Sequence, residues 1–173
     1  MNKWMIFIIG GARSGKSSYV LKEASKLSGK KAYIATAEAL DEEMQKRIEI
    51  HKRQRGNEWV TYEEPFGIVE VIKNINGNYS AIIVDCLTLW LSNIMHRNLD
   101  IVYEIENLLD TLRIIPRASS IYIVSNEVGM GIVPENELAR RFRDMQGFLN
   151  QRVAEIADEV ILMVSSIPLK VKG

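Results

Sequence analysis

The segment Gly10-Gly11-Ala12-Arg13-Ser14-Gly15-Lys16-Ser17 constrains this chain more than any other stretch. It satisfies the pattern G-x-x-x-x-G-K-[ST] in full, directly after the apolar run Trp4 to Ile9 and at the start of an amphipathic stretch. Glycines let the backbone wrap closely, so that successive N–H groups and a helix N-terminus converge on phosphate oxygens. In such a P-loop Lys16 offsets β- and γ-phosphate charge, and Ser17 offers a hydroxyl to Mg2+. The competing reading is a structural glycine turn, and the strand-to-helix context speaks against it.

The remainder alternates short β-rich runs with longer helical ones, the pattern of an α/β fold with a mainly parallel sheet flanked by helices. Strands are expected over Trp4–Ile9, Ala32–Ala35, Trp59–Tyr62, Ala81–Val84, Ile121–Val124 and Val160–Val164. Helices are expected from about Lys16 to Gly29, Asp41 to Gly56, Phe66 to Ile75, Leu87 to His96 and Ile101 to Ile115. A long helix opens at Pro134, with the stripe Leu138, Phe142, Met145, Leu149, Val153 and Ile156 facing inward. Pro168 falls in a turn before an alternating edge strand, Leu169 to Lys172, which makes a C-terminal antiparallel edge hairpin. The chain's 173 residues contain no repeat, linker or low-complexity stretch, so a single domain over 1–173 is expected.

Composition removes several function classes. Lysine plus arginine and aspartate plus glutamate both number 22, so there is no bulk basic footprint for nucleic acid and no acidic tail. One cysteine and two histidines make neither an internal disulfide nor a typical zinc site. The first apolar run is too short to span a membrane and lacks a signal peptide's cleavage context, so a cytoplasmic enzyme is expected.

A P-loop needs a second acid near its metal. Ala81-Ile82-Ile83-Val84-Asp85 places a carboxylate at the C-terminal end of a buried strand, the edge where α/β sheets bind ligands. His51 follows the apolar stripe of its expected helix among Arg47, Lys52, Arg53 and Arg55. It reads either as a packed histidine on a basic helix or as a nucleophile toward phosphorus, with cations stabilising the developing anion. His96, beside Arg97, reads as a helix C-terminal residue. Asn126-Glu127 and the loop Val128 to Pro134 leave another strand at the same edge, with two glycines that suit either close ligand approach or a tight turn. The run Arg140-Arg141-Phe142-Arg143-Asp144 reads as a solvated helix face, or as a surface that meets a phosphate or a neighbouring subunit.

These motifs together resemble the bifunctional adenosylcobinamide kinase/adenosylcobinamide-phosphate guanylyltransferase family of cobalamin biosynthesis. The match is collinear over nearly the whole chain: GGARSGKS at 10–17, YIATA at 33–37, DEEMQKRIEIHKRQR at 41–55 and DCLT at 85–88. Most specific is SNEVGMGIVPENELARRFRDMQGFLNQRVAEIADEV at 125–160. The resemblance implies that ATP or GTP phosphorylates the aminopropanol arm of adenosylcobinamide. GMP from GTP then passes, through a guanylylated histidine, to adenosylcobinamide phosphate, giving adenosylcobinamide-GDP. That histidine precedes a lysine in R-I-x-x-H-K and maps to His51. The family's nucleotide contacts map to Gly10, Gly11, Ala12, Arg13, Ser14, Gly15, Lys16 and Ser17, to Ala35, Thr36 and Ala37, and to Lys52, Arg53, Gln54 and Arg55. An acid after the next strand maps to Glu63, with Glu64 one register step away, and the strand-end acid maps to Asp85. Mg2+ would be held through Ser17 and Asp85, partly through water. A homotrimer with its nucleotide site near a subunit boundary is also implied.

The chain departs from the family pattern in two places. Ser166 stands where the family usually shows glycine, which either changes only a turn or strains a special backbone angle there. A few extra residues precede the first strand, and Met5 aligns with the family's usual start. Two rivals remain. A small-molecule kinase without guanylyl transfer would make His51 dispensable. A nucleotide switch would call for N-K-x-D and D-x-x-G motifs, which Ser125-Asn126-Glu127-Val128 and Asp85-Cys86-Leu87-Thr88 do not fit.

Overall fold

The computed structural model describes residues 4–38, 56 and 58–173. Along the chain run β1 (Met5–Gly10), α1 (Lys16–Ala24), β2 (Lys31–Ala35), β3 (Trp59–Glu63), α2 (Ile68–Ile75) and β4 (Ala81–Asp85). They are followed by α3 (Leu87–His96), α4 (Ile101–Ile114), β5 (Ser120–Asn126), α5 (Glu137–Ile156), β6 (Glu159–Val164) and β7 (Ile167–Lys172). The strands form one sheet in the order β3-β2-β4-β5-β1-β6-β7, parallel throughout except for the antiparallel β6–β7 pair. This is the expected mainly parallel sheet with its C-terminal edge hairpin.

Alternation along the central strands divides the core into two layers. Ile6 and Ile8 of β1 join Val20 and Ala24 of α1 on one face, together with Ile83, Val124 and Ile161. Met5 and Phe7 point the other way, into a larger cluster with Ile72 of α2, Trp90 and Leu91 of α3, Ile105 and Leu109 of α4, and Leu149 and Val153 of α5. Each fully buried aliphatic or aromatic side chain there contributes about 1.5–3 kcal/mol. Trp90 is completely buried, and its indole N–H donates to the Phe66 carbonyl at 2.8 Å, so the group needs no solvent.

Several element boundaries differ from the sequence reading. The first helix stops at Ala24 rather than near Gly29, because Ser25 to Leu27 close as turns. The long helix begins at Glu137, not Pro134. The Asn136 carboxamide accepts from the Ala139 N–H at 3.1 Å and caps the helix there, while the Pro134 carbonyl accepts from Arg140. Leu138, at the head of the expected inward stripe, is therefore exposed, and only Leu149 and Val153 of that stripe are fully buried. Pro168 lies inside β7 rather than in a turn. Its missing N–H is tolerated because β7 is an edge strand, and the turn itself is Ser165-Ser166. The helix expected over 41–56 falls almost wholly outside the described residues. Among the described residues no helix is long and apolar enough to cross a membrane.

Candidate active site

β1 delivers the phosphate-loop motif at the C-terminal edge of the sheet. Gly10 is required by crowding: a Cβ there would come within 2.5 Å of the Met163 carbonyl oxygen of β6. Gly15, the residue before α1, has φ +91°, and a Cβ on it would lie 2.7 Å from Ser166 Oγ and 3.1 Å from Ser166 Cα. Arg13 also adopts a positive φ of 56° and is exposed, while Ser14 and Lys16 are buried. The loop is thus wedged between its own helix and the β6–β7 turn, where the Ser166 N–H donates to the Ser14 carbonyl at 2.9 Å. Ser165 and Ser166, with φ of 50° and 67°, form a two-residue hairpin turn of the kind that favours Asn-Gly. Of the two outcomes open for Ser166, a changed turn or a strained angle, the structure shows a left-handed angle.

The Lys16 ammonium folds over the loop and donates to the carbonyls of Gly10 at 3.0 Å and Gly11 at 2.7 Å. Burial lowers its pKa, and nearby Cys86 and Asp85 oppose that shift. Burial also pushes the Cys86 thiol up to about 11, so the thiol is neutral at physiological pH. Ser17 Oγ donates to Asp85 Oδ2 at 2.7 Å, and the Tyr33 hydroxyl donates to the same oxygen at 2.6 Å. A hydroxyl beside a carboxylate is a hard-oxygen pair that suits Mg2+, which is usually held by one or two carboxylates together with substrate phosphates. Among the described residues no group of three His, Cys, Asp or Glu side chains could hold a metal on its own.

Strand register gathers three further predicted residues. Ala35 at the end of β2 is paired with Glu63 of β3 on one side and with Asp85 of β4 on the other. Thr36 is fully buried and fixes the turn after β4: the Cys86 N–H donates to Thr36 Oγ1, which donates to the Cys86 carbonyl, both at 2.8 Å. Asn93 of α3 donates to the Thr36 carbonyl at 2.8 Å and the Pro65 carbonyl at 3.1 Å, holding the loops after β2 and β3 together. Glu63 and Glu64 differ in placement. Glu64 Oε1 accepts the N–H groups of Phe66 and Gly67, at 3.0 and 2.8 Å, ahead of α2. Glu63 ends β3 in line with Ala35 and Asp85.

The structure therefore brings residues 10–17, 35–37, Glu63 and Asp85 to one edge. His51, Lys52, Arg53, Gln54 and Arg55 lie outside the described residues. Sequence reasoning missed Tyr33 and Asn93. Tyr33 was visible inside YIATA, but its link to Asp85 arises only once β2 and β4 pair. His96 sits in the last turn of α3, as expected, with its Nδ1 near the Ser92 carbonyl at 2.8 Å.

A family model described as cobinamide kinase / cobinamide phosphate guanyltransferase matches residues 6–171. The bifunctional adenosylcobalamin biosynthesis protein CobP of Pseudomonas aeruginosa is 41% identical over 170 residues, covering 96% of each chain. The bifunctional adenosylcobalamin biosynthesis protein CobU of Salmonella typhimurium is 40% identical, covering 97% of this chain and 99% of its own, and the Escherichia coli CobU is 38% identical at the same coverage. Among solved structures, the RadB recombinase aligns with a TM-score of 0.51 and 15% identity, covering 91% of this chain and 73% of that one. That likeness bears on the fold alone. With a family model spanning nearly the whole sequence and relatives matched almost end to end, the chain belongs to the cobinamide kinase / cobinamide phosphate guanyltransferase family.

Proposed function

We propose that this chain carries out two successive reactions on a corrinoid. In the first, the side-arm hydroxyl of adenosylcobinamide attacks the γ-phosphorus of ATP or GTP. The γ-phosphorus–oxygen bond breaks, and the nucleoside diphosphate leaves. In the second, a ring nitrogen of His51 attacks the α-phosphorus of GTP and pyrophosphate leaves. A phosphate oxygen of adenosylcobinamide phosphate then displaces the histidine from the GMP, giving adenosylcobinamide-GDP.

The observation that supports this reading best is the edge made by Lys16, Ser17 and Asp85, with Ala35 and Glu63 in register beside it. The loop amides and Lys16 bind and orient the triphosphate, and Lys52 to Arg55 add positive charge next to His51. Mg2+, held by Ser17 and Asp85 and partly through water, would supply charge neutralisation of the phosphate oxygens. The exposed apolar side chains Met130, Ile132 and Val133, in the loop after β5, offer the corrinoid an apolar surface on the same edge. A single domain over 1–173, a homotrimer with the nucleotide near a subunit boundary and a cytoplasmic location complete the reading.

The test is intact-protein mass spectrometry after incubation with GTP and Mg2+ without corrinoid, on the wild type and on His51→Ala. The expected result is an acid-labile, base-stable GMP adduct that His51→Ala lacks. A folded, GTP-binding wild type without any adduct would reduce the protein to a kinase.

A further inference from the structure

The two-reaction reading leaves one group unassigned: whatever takes the proton from the acceptor hydroxyl during phosphorylation. The sheet order narrows the candidates. β5 lies between β1, which carries the phosphate loop, and β4, which carries Asp85. Its last residue, Asn126, is paired with Gly10, and the next residue, Glu127, donates its N–H to the Gly10 carbonyl at 3.0 Å.

Neighbouring strands are about 4.8 Å apart, so Glu127 follows a strand one step from the phosphate-loop strand, Asp85 ends one two steps away, and Glu63 one four steps away, roughly 19 Å. On the other side, β6 reaches this edge with Met163 and Val164, neither of them acidic. Asp85 Oδ2 is already engaged by the hydroxyls of Ser17 and Tyr33, the arrangement of a metal-side acid. Among the described residues, Glu127 is the carboxylate closest to the phosphate loop in sheet order.

The strand end before it is tied by hydrogen bonds. The Asn126 N–H donates to Thr88 Oγ1 at 2.8 Å, and the Asn126 carbonyl accepts from Asn150 Nδ2 at 3.1 Å. Beneath it, Ser125 Oγ donates to Asn150 Oδ1 at 2.7 Å, and the buried Gln146 carboxamide donates to both, at 3.0 and 2.9 Å. These hydrogen bonds connect the end of β5 to α3 and α5. Glu127 Oε1 accepts the Gly129 N–H at 2.6 Å, which orients the half-buried carboxylate.

We propose that Glu127 is the general base of the phosphorylation step, resting on the two-reaction reading. The hydroxyl oxygen bonds to the γ-phosphorus, the bond from that phosphorus to the β-phosphate oxygen breaks, and the leaving diphosphate takes the electron pair. The hydroxyl proton passes to the Glu127 carboxylate and from there to solvent. Guanylylation of an imidazole has no hydroxyl proton to remove, so only one of the two reactions needs this base.

That asymmetry gives the test its internal control. Glu127→Gln and Glu127→Asp are compared with wild type in two assays: adenosylcobinamide phosphorylation, and GMP adduct formation from GTP by intact mass. Glu127→Gln is expected to lose about 10²–10⁴-fold in phosphorylation kcat, while still forming the adduct. Glu127→Asp, which keeps a carboxylate, recovers most of that loss. Phosphorylation within a few-fold of wild type in Glu127→Gln overturns the assignment. So does a parallel fall in both reactions, which would make Glu127 a brace for its loop. A wild type that forms the adduct yet phosphorylates no corrinoid overturns the two-reaction reading, and this assignment with it.

Discussion

The hydroxyl of Ser17 and the carboxylate of Asp85, 68 residues apart in sequence, meet at 2.7 Å across the phosphate-binding edge. The same Asp85 oxygen also receives the Tyr33 hydroxyl, so one carboxylate organises residues from α1, β2 and β4. Asp85→Asn preserves this shape and removes the charge. The Mg2+ concentration for half-maximal phosphorylation should rise about 10–100-fold with little change in Tm, as a metal titration of the initial rate would show.

Lys16 donates to two carbonyls of its own loop from a buried position, an arrangement suited to a compact ammonium. A planar guanidinium does not fit between those carbonyls and cannot shed charge when desolvated. Lys16→Arg should therefore behave like Lys16→Ala, with kcat lowered about 10²–10³-fold in both reactions. Steady-state kinetics of the two substitutions side by side would show it.

Ser166 holds a left-handed backbone angle without being glycine. Relief of that angle outweighs the extra freedom glycine gains in the unfolded chain, so Ser166→Gly should stabilise the protein by about 0.5–1 kcal/mol. That corresponds to a Tm rise of roughly 1–4 °C. Gly15→Ala should do the reverse, since its Cβ would press on Ser166, and should weaken nucleotide binding as well. Calorimetric melts with and without nucleotide separate the two effects.

The Cys86 thiol is pushed up to about 11 by burial, with Asp85 adding to the shift. Well below pH 9 the thiol is protonated in both folded and unfolded chains, and the shift has no effect on stability. Between about 9 and 11 the unfolded thiol gives up its proton and the folded one does not, so stability falls as pH rises. The loss is on the order of 3 kcal/mol across that window. Denaturant titrations at pH 8, 9 and 10 should show a steeper decline in wild type than in Cys86→Ala.

Much of the site is local, and local features were legible. The phosphate loop, the strand ending in Asp85 and the helix Leu87–His96 follow from apolar runs and turn residues that name their own conformations. Register between strands is not local. Nothing within YIATA or AIIVD says that Ala35 will sit between Glu63 and Asp85, because that depends on which strand neighbours which. The start of α5 differs for a local reason, since two helix-start signals compete within three residues. Pro134 suits a first helical turn, but the Asn136 cap closer to the helix prevailed. Ser166 drew notice as a departure from a family glycine, yet its contact with Gly15 emerges only when the last hairpin folds back on the first loop.

That hairpin has a consequence for how the chain matures. The nucleotide loop leaves the ribosome long before Met163 and Ser166, the residues that crowd Gly10 and accompany Gly15. β1 itself pairs only with β5 and β6, so a chain that has already made α1 still lacks both strand neighbours of the loop. The cradle closes only once β6 and β7 are docked against it, which makes the loop's shape a property of the whole sheet rather than of residues 10–17 alone.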